Sequence, residues 1–115
     1  MKFKNFETLK KNNDYKLVYE NKNSGSNRLL VMYIRKNDRD NSRFGISVSK
    51  KVGNSVVRHR LARLLRESIR LNAHRIIGGY DIVFVAKGSL KGKNYFETES
   101  AVLHLLKVNK LIVEE

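Results

Sequence analysis

Five arginines fall between positions 58 and 70: Arg58, Arg60, Arg63, Arg66 and Arg70. A guanidinium is a planar fork of donors that grips phosphate oxygens in pairs and stacks on bases, so arginine in this density points to nucleic acid. Lys50, Lys51 and Arg75 flank the run, and Glu67 is the sole acid from residue 50 to residue 75, which leaves that stretch at +7. A face charged only for solubility usually mixes both signs. At about 100° per residue, with Arg58 at zero, Arg60, Arg63, Arg66 and Arg70 fall between about 80° and 200°, with His59 among them at about 100°. Leu61, Leu64, Leu65 and Ser68 fall between about 240° and 340° on the same wheel. The spacing predicts one helix with an apolar stripe for a core and an arginine stripe on its other side.

Ahead of that helix, Gly53-Asn54-Ser55 puts free backbone N–H groups at its start. Such an end attracts phosphate through its dipole and its unpaired donors, while Asn and Ser are also ordinary capping residues. The preceding Lys50-Lys51 and the arginines that follow favour phosphate. No P-loop string is present. Tyr15 and Tyr19 stand i,i+4 beside lysine, a spacing that suits a platform for unpaired bases and equally a buried stripe. Their hydroxyls favour a place that water or a partner can reach. Cleavage chemistry on the chain itself finds little support. His59, His74 and His104 lack metal-ligand spacing, Glu97 and Glu99 flank Thr98, and Glu114-Glu115 closes the chain. We expect no catalytic residue and no metal site on the protein.

The elements that position these residues can be read from the rest of the chain. Its 115 residues, 41% of them apolar, suit a single domain, 1–115. The net charge of +13 makes a polyanion the first partner to consider. Without cysteine there is neither a disulfide framework nor a thiolate zinc site. No apolar run approaches the roughly 20 residues of a membrane span, and residues 1–7 lack a secretory pattern, so the expected location is the cytoplasm.

Residues 1–10 read as an irregular lead-in. Asn12, Asn13 and Asp14 offer N-caps to a helix ending near Tyr19 or Lys22. Residues 23–27 read as a loop, 28–36 as a central strand and 43–50 as an alternating strand. On the latter, Phe44, Ile46 and Val48 oppose Gly45, Ser47 and Ser49, leaving one face open to ligand or solvent. An antiparallel hairpin of these two strands is expected. The arginine helix should run to Ile77, where Gly78-Gly79 stops it. A third strand over 80–86, a polar loop over 90–94 and a helix over 96–110 complete the order α-β-β-α-β-α, an α+β sandwich.

Lys50-Lys51-Val52-Gly53-Asn54-Ser55-Val56-Val57-Arg58-His59-Arg60-Leu61-Ala62-Arg63-Leu64-Leu65-Arg66-Glu67-Ser68-Ile69-Arg70 closely resembles the signature of the bacterial ribonuclease P protein component. The likeness extends to Leu9-Lys10-Lys11-Asn12-Asn13-Asp14-Tyr15, Phe44-Gly45-Ile46-Ser47-Val48-Ser49 and Tyr80-Asp81-Ile82-Val83-Phe84-Val85-Ala86, and so covers nearly the whole chain. One position departs: His59 stands where the family usually has Asn.

The resemblance implies an α-β sandwich with a small mixed sheet. Its βαβ crossover would be left-handed, against the roughly 98% right-handed rule. It further implies a subunit that binds a catalytic ribonuclease P RNA and precursor tRNA, assisting removal of the 5′ leader, with Mg2+ and the chemistry held mainly by the RNA. Lys50, Lys51, Asn54, Arg58, His59, Arg60, Arg63, Arg66 and Arg70 would face the catalytic RNA. Tyr15, Tyr19 and Tyr33 would line the leader cleft. The free protein is expected to be monomeric, with no membrane partner. Composition alone supports equally a non-catalytic RNA-binding module of ribosomal or RNA-chaperone type.

Overall fold

In the computed structural model, which describes residues 7–113, the apolar run at 80–86 becomes the middle strand of the sheet. Asp81, Ile82, Val83 and Phe84 are all buried there, so both faces of the strand are covered. In chain order the elements are β1 (Glu7–Thr8), α1 (Asn12–Glu20), β2 (Asn23–Ser26), β3 (Leu30–Lys36), β4 (Arg43–Ser47), α2 (Ser55–Asn72), β5 (Tyr80–Ala86) and α3 (Tyr95–Val108). The five strands lie in the order β1-β4-β5-β3-β2. β5 runs antiparallel to β3 and parallel to β4, which makes the sheet mixed.

One face of the sheet carries Leu30, Met32, Ile34, Phe44, Ile82 and Phe84 into the main core. Leu61, Leu65 and Ile69 of α2 close over them, together with Val102, Leu105 and Leu106 of α3. On the opposite face α1 packs Val18 against Leu9 and Val83, with Tyr15, Tyr33 and Val85 around them. The protein is thus an α+β sandwich with one helix on one side and two on the other.

The expected hairpin does not form, since β3 and β4 each pair with β5 and not with one another. Asp81 supplies a physical reason. It sits directly between Arg35 on β3 and Arg43 on β4 in the two registers. Arg43 donates to both of its oxygens, Nε to Oδ1 at 2.9 Å and Nη2 to Oδ2 at 2.7 Å, and Asn37 Nδ2 donates to Oδ1 at 2.9 Å. Arg35 stands 3.7 Å away, and Arg43 also reaches Asp14 of α1 at 3.7 Å. The segment from β3 to β4 passes around the end of β5. Its Asp40 carbonyl runs so close to Gly78 that a Cβ there would stand 2.0 Å from the oxygen, so only glycine fits.

Other boundaries differ from expectation for local reasons. Residues 23–26, expected as loop, form an edge strand on β3, where polar residues and a glycine are tolerated because one side faces solvent. Glu7–Thr8, read as irregular, pairs parallel with β4, while the earlier part of that lead-in, residues 1–6, lies outside the described residues. Lys11 takes the N-cap position of α1 without a side-chain bond, placing Asn12, Asn13 and Asp14 in the first turn. α2 stops at Asn72 and not at Ile77. After a 3-10 turn over Ala73–Arg75, Ile76 bridges Ile112 and the Ile77 N–H bonds the Leu111 carbonyl at 2.8 Å, which draws the chain out of helix. The loop expected at 90–94 begins with a fully buried Leu90.

The Asp81 side chain is 1% exposed and that of Arg43 14%. Burial by itself pushes the Asp81 carboxyl up, but hydrogen bonds from Arg43 and Asn37 and the charges of Arg43 and Arg35 outweigh it and hold it below the ordinary value. A group with a lowered folded pKa stabilises above its unfolded pKa and loses that contribution as pH falls through the folded one. Thermal unfolding should therefore show Asp81→Ala less stable by about 3 to 5 kcal/mol at neutral pH, because the largely buried Arg43 loses both of its hydrogen bonds and keeps only the longer contact with Asp14. The gap from wild type should narrow below about pH 4, as the wild-type carboxylate titrates.

Candidate nucleic-acid interface

The turn from β4 into α2 exposes Lys50 and Lys51. Asn54 caps the helix, its side chain accepting from the Val57 N–H at 3.0 Å. Its role in the free protein is therefore capping, with the phosphate reading reserved for the N–H groups around it. Arg58, half-buried, turns back and donates from Nε to the Gly53 carbonyl at 3.2 Å, which rigidifies the same turn. Beyond it His59, Arg60, Arg63 and Arg66 are exposed. Leu61, Leu65 and Ser68 are fully buried on the far side, and Ser68 meets its own need by donating to the Leu65 carbonyl at 2.8 Å.

Two hollows flank His59. One is bounded by Ser55, Val56, Arg60 and Arg63, and the other by Arg58, Ala62 and Arg66 together with Ile46 and Val48 from the β4 side. Ile46 and Val48 were not among the sequence candidates. Their signal was the alternation of β4, which turns them toward α2. Among the described residues, Arg58, Arg60, Arg63 and Arg66 enter no ion pair, although Arg63 lies in the field of Glu67. Arg70 stands apart from them. It donates to both carboxylate oxygens of Glu67, at 3.1 Å from Nε and through a second bond from Nη2. Glu67 is held below its ordinary pKa chiefly by that hydrogen bond. The cationic ridge thus comprises the first three turns of α2 and the lysines before it, while the last turn is internally neutralised. Arg60 also donates to the Lys93 carbonyl at 2.8 Å, joining the ridge to the segment before α3.

On the opposite face of the sheet α1 brings together Tyr15, Tyr19 and, from β3, Tyr33. Tyr15 lies against the backbone of Gly45, where a Cβ would come within 2.7 Å of the ring. Its hydroxyl accepts from the Ile46 N–H at 3.4 Å. Tyr19 and Tyr33 meet edge to face, with centroids 4.9 Å apart at 85°. Tyr19 is 36% exposed, and burial of the remainder raises its phenol pKa against a lowering hydrogen bond with Ser47. Lys16 and Lys22 border a shallow depression beside Tyr15 and Tyr19. Tyr15 and Tyr33 pack on the smaller core and are half-buried, as a buried stripe requires, whereas Tyr19 lies at the surface. The face of β4 expected to be open is instead covered by α1: Gly45 is buried under the Tyr15 ring and Ser47 is half-buried beside Tyr19.

Among the described residues no group of three or more His, Asp or Glu comes together that could hold a metal. None of their helices is long and apolar enough to cross a membrane.

A mixed five-stranded sheet with one helix on one face, two on the other and a basic ridge at the β4–α2 junction defines a small α-β sandwich with a polycationic surface. The sequence matches the ribonuclease P family profile over residues 3–110. The ribonuclease P protein component of Lachnoclostridium phytofermentans is 55% identical over 92% of this chain and 91% of its own length. That of Alkaliphilus metalliredigens is 51% identical over 90% of this chain and 94% of its own. The RNase P protein of Staphylococcus aureus superposes with a TM-score of 0.84 at 34% identity, covering 91% of this chain and 96% of that one. The Thermotoga maritima protein superposes at 0.82 with 33% identity, covering 89% and 96%. The chain belongs to the ribonuclease P protein component family. Its role is that of a protein subunit of the ribonucleoprotein in tRNA processing, with ribonuclease P RNA as its partner.

Gly45→Ala tests the contact on which the tyrosine surface rests. The added methyl must displace the Tyr15 ring, so chemical denaturation should show a loss of about 1 to 3 kcal/mol. Tyr15→Leu in the same background should recover part of it by removing the ring's far edge.

Proposed function

We propose that the ridge on α2 binds the catalytic RNA of ribonuclease P, that the tyrosine surface beneath α1 takes the single-stranded 5′ leader of precursor tRNA, and that the cleavage chemistry lies on the RNA. The observation that carries this reading is the cluster of Arg58, Arg60, Arg63 and Arg66, exposed or half-exposed and free of ion pairs among the described residues. Four such forks, with Lys50 and Lys51, form a surface whose charge is satisfied by phosphate. His59 sits on the crest between the two hollows, where its ring can donate to or stack on RNA.

The family implies magnesium, and the residues near the ridge do not fit it. Glu67 is the single carboxylate on α2, and both of its oxygens accept from Arg70. In this reading RNA phosphates hold the ion. The leader surface works by stacking on the Tyr19 ring, with Lys16 and Lys22 placed for the backbone. The free protein is read as monomeric and cytoplasmic, its charge of +13 opposing self-association.

The deciding experiment is precursor-tRNA cleavage by a bacterial ribonuclease P RNA at low magnesium, with and without the protein. Stimulated cleavage at the mature 5′ end is expected, together with no cleavage by the protein alone. Binding without stimulation would instead indicate a general RNA-binding module. Arg63→Ala and Arg66→Ala should weaken binding of the catalytic RNA and lower the slope of log K against log salt by about 0.7 to 0.9 per lost phosphate contact. Tyr15→Ala should reduce the preference for precursor over mature tRNA by about 1 to 3 kcal/mol.

A further inference from the structure

Phe96 on the first turn of α3 is 74% exposed, a large apolar ring left in water on a chain with a well-filled core. Its position is fixed. Tyr95 meets it edge to face at 5.5 Å and 76°, and the start of α3 is locked by a capping box between Asn94 and Glu97. The Asn94 side chain accepts from the Glu97 N–H at 2.8 Å, while Glu97 accepts from the Asn94 N–H at 3.0 Å. Beside the ring runs a groove floored by Leu29 and Ala101, both buried, with Arg28 and Lys93 on its rim and His104 at its far end. Asn27 holds that end by donating from Nδ2 to the Ala101 carbonyl at 3.0 Å and bonding His104 Nδ1 at 3.2 Å. Glu97 is the single acid lining the groove, and its Oε1 accepts from the cap, so the lining carries the cations Arg28 and Lys93 against one carboxylate.

We propose that this groove is a docking site for a single-stranded segment of the catalytic RNA, with a base stacked on Phe96 and the adjoining phosphates on Arg28 and Lys93. An exposed aromatic ring between cations is the arrangement that binds unpaired nucleotides without reading their sequence. The rim complements a polyanion, and the groove continues the ridge on α2 through the bond from Arg60 to the Lys93 carbonyl. Both features lie on the α2–α3 side of the sheet, whereas the tyrosine surface lies on the α1 side. The same RNA that covers α2 is therefore the occupant, and the leader is not. The proposal rests on the reading of the α2 ridge as the RNA-binding face.

The chain contains no tryptophan, so Phe96→Trp places a single tryptophan in the groove, which can be excited selectively over the five tyrosines. Its emission should be quenched by ribonuclease P RNA and unchanged by precursor tRNA alone. Phe96→Ala should weaken binding of the catalytic RNA by about 5-fold to 150-fold with an unaltered salt slope. Arg28→Ala and Lys93→Ala should each lower that slope by about 0.7, the value for a single strand. Phe96 makes little core contact, and equal melting temperatures would exclude a folding effect. If Arg63→Ala weakens binding but Phe96→Ala does not and the Trp stays unquenched, the groove assignment falls while the ridge stands. If Arg63→Ala has no effect either, the reading of the ridge has failed. Quenching by precursor tRNA alone, or by self-association of the protein without RNA, would likewise overturn the proposal.

Discussion

A single carboxylate, removed almost entirely from water, ties the three central strands together. Asp81 on β5 faces Arg35 on one side and Arg43 on the other, and Asn37 closes the remaining approach. Its desolvation is tolerated only because two hydrogen bonds from Arg43 and one from Asn37 meet it. A direct β3–β4 hairpin would abandon this arrangement and leave a buried charge without a partner. Asp14 extends the cluster to α1, so the element bearing Tyr15 and Tyr19 is referenced to the same point as the strand leading into α2.

β4 is the structural link between the two candidate surfaces. Its alternation sends Ile46 toward the hollow beside α2, while Gly45 and Ser47 meet Tyr15 and Tyr19 of α1. Between successive residues of a strand the side chain changes face, so surfaces on opposite sides of the sheet are separated by little more than its thickness. Tyr15 makes the connection tangible, with its ring on one face and its hydroxyl accepting from the Ile46 N–H in the strand itself. A shift of β4 cannot move one surface without moving the other.

Most of the candidate site was legible because its signals are local. The wheel of α2 separates arginines from leucines by angle alone, and Leu61 and Leu65 are buried as that separation requires. Gly53-Asn54-Ser55 marked the helix start, and Asn54 caps it. What escaped was long-range. Nothing near residues 28–50 tells that a strand from 80–86 will intervene, because the partners of both strands, Asp81 and its apolar neighbours, lie far along the chain. The end of α2 was misplaced for a related reason, since Ile76 leaves the helix to bridge Ile112. Arg70 fell on the arginine stripe by angle, yet Glu67 three residues earlier claims it. An i,i+3 acid partner is visible in sequence, but the angle on the wheel gives it no weight.

That pairing gives α2 an electrical direction. With Arg70 matched by Glu67, the unmatched positive charge is gathered toward the N-terminal end, where Lys50, Lys51 and the partial positive charge of the helix itself already lie. The helix therefore has a cationic pole, not a uniform stripe of charge. A body with a pole turns in the field of a polyanion before it touches. On approach, the β4–α2 junction would swing to the front, and the first collision would already resemble the final orientation.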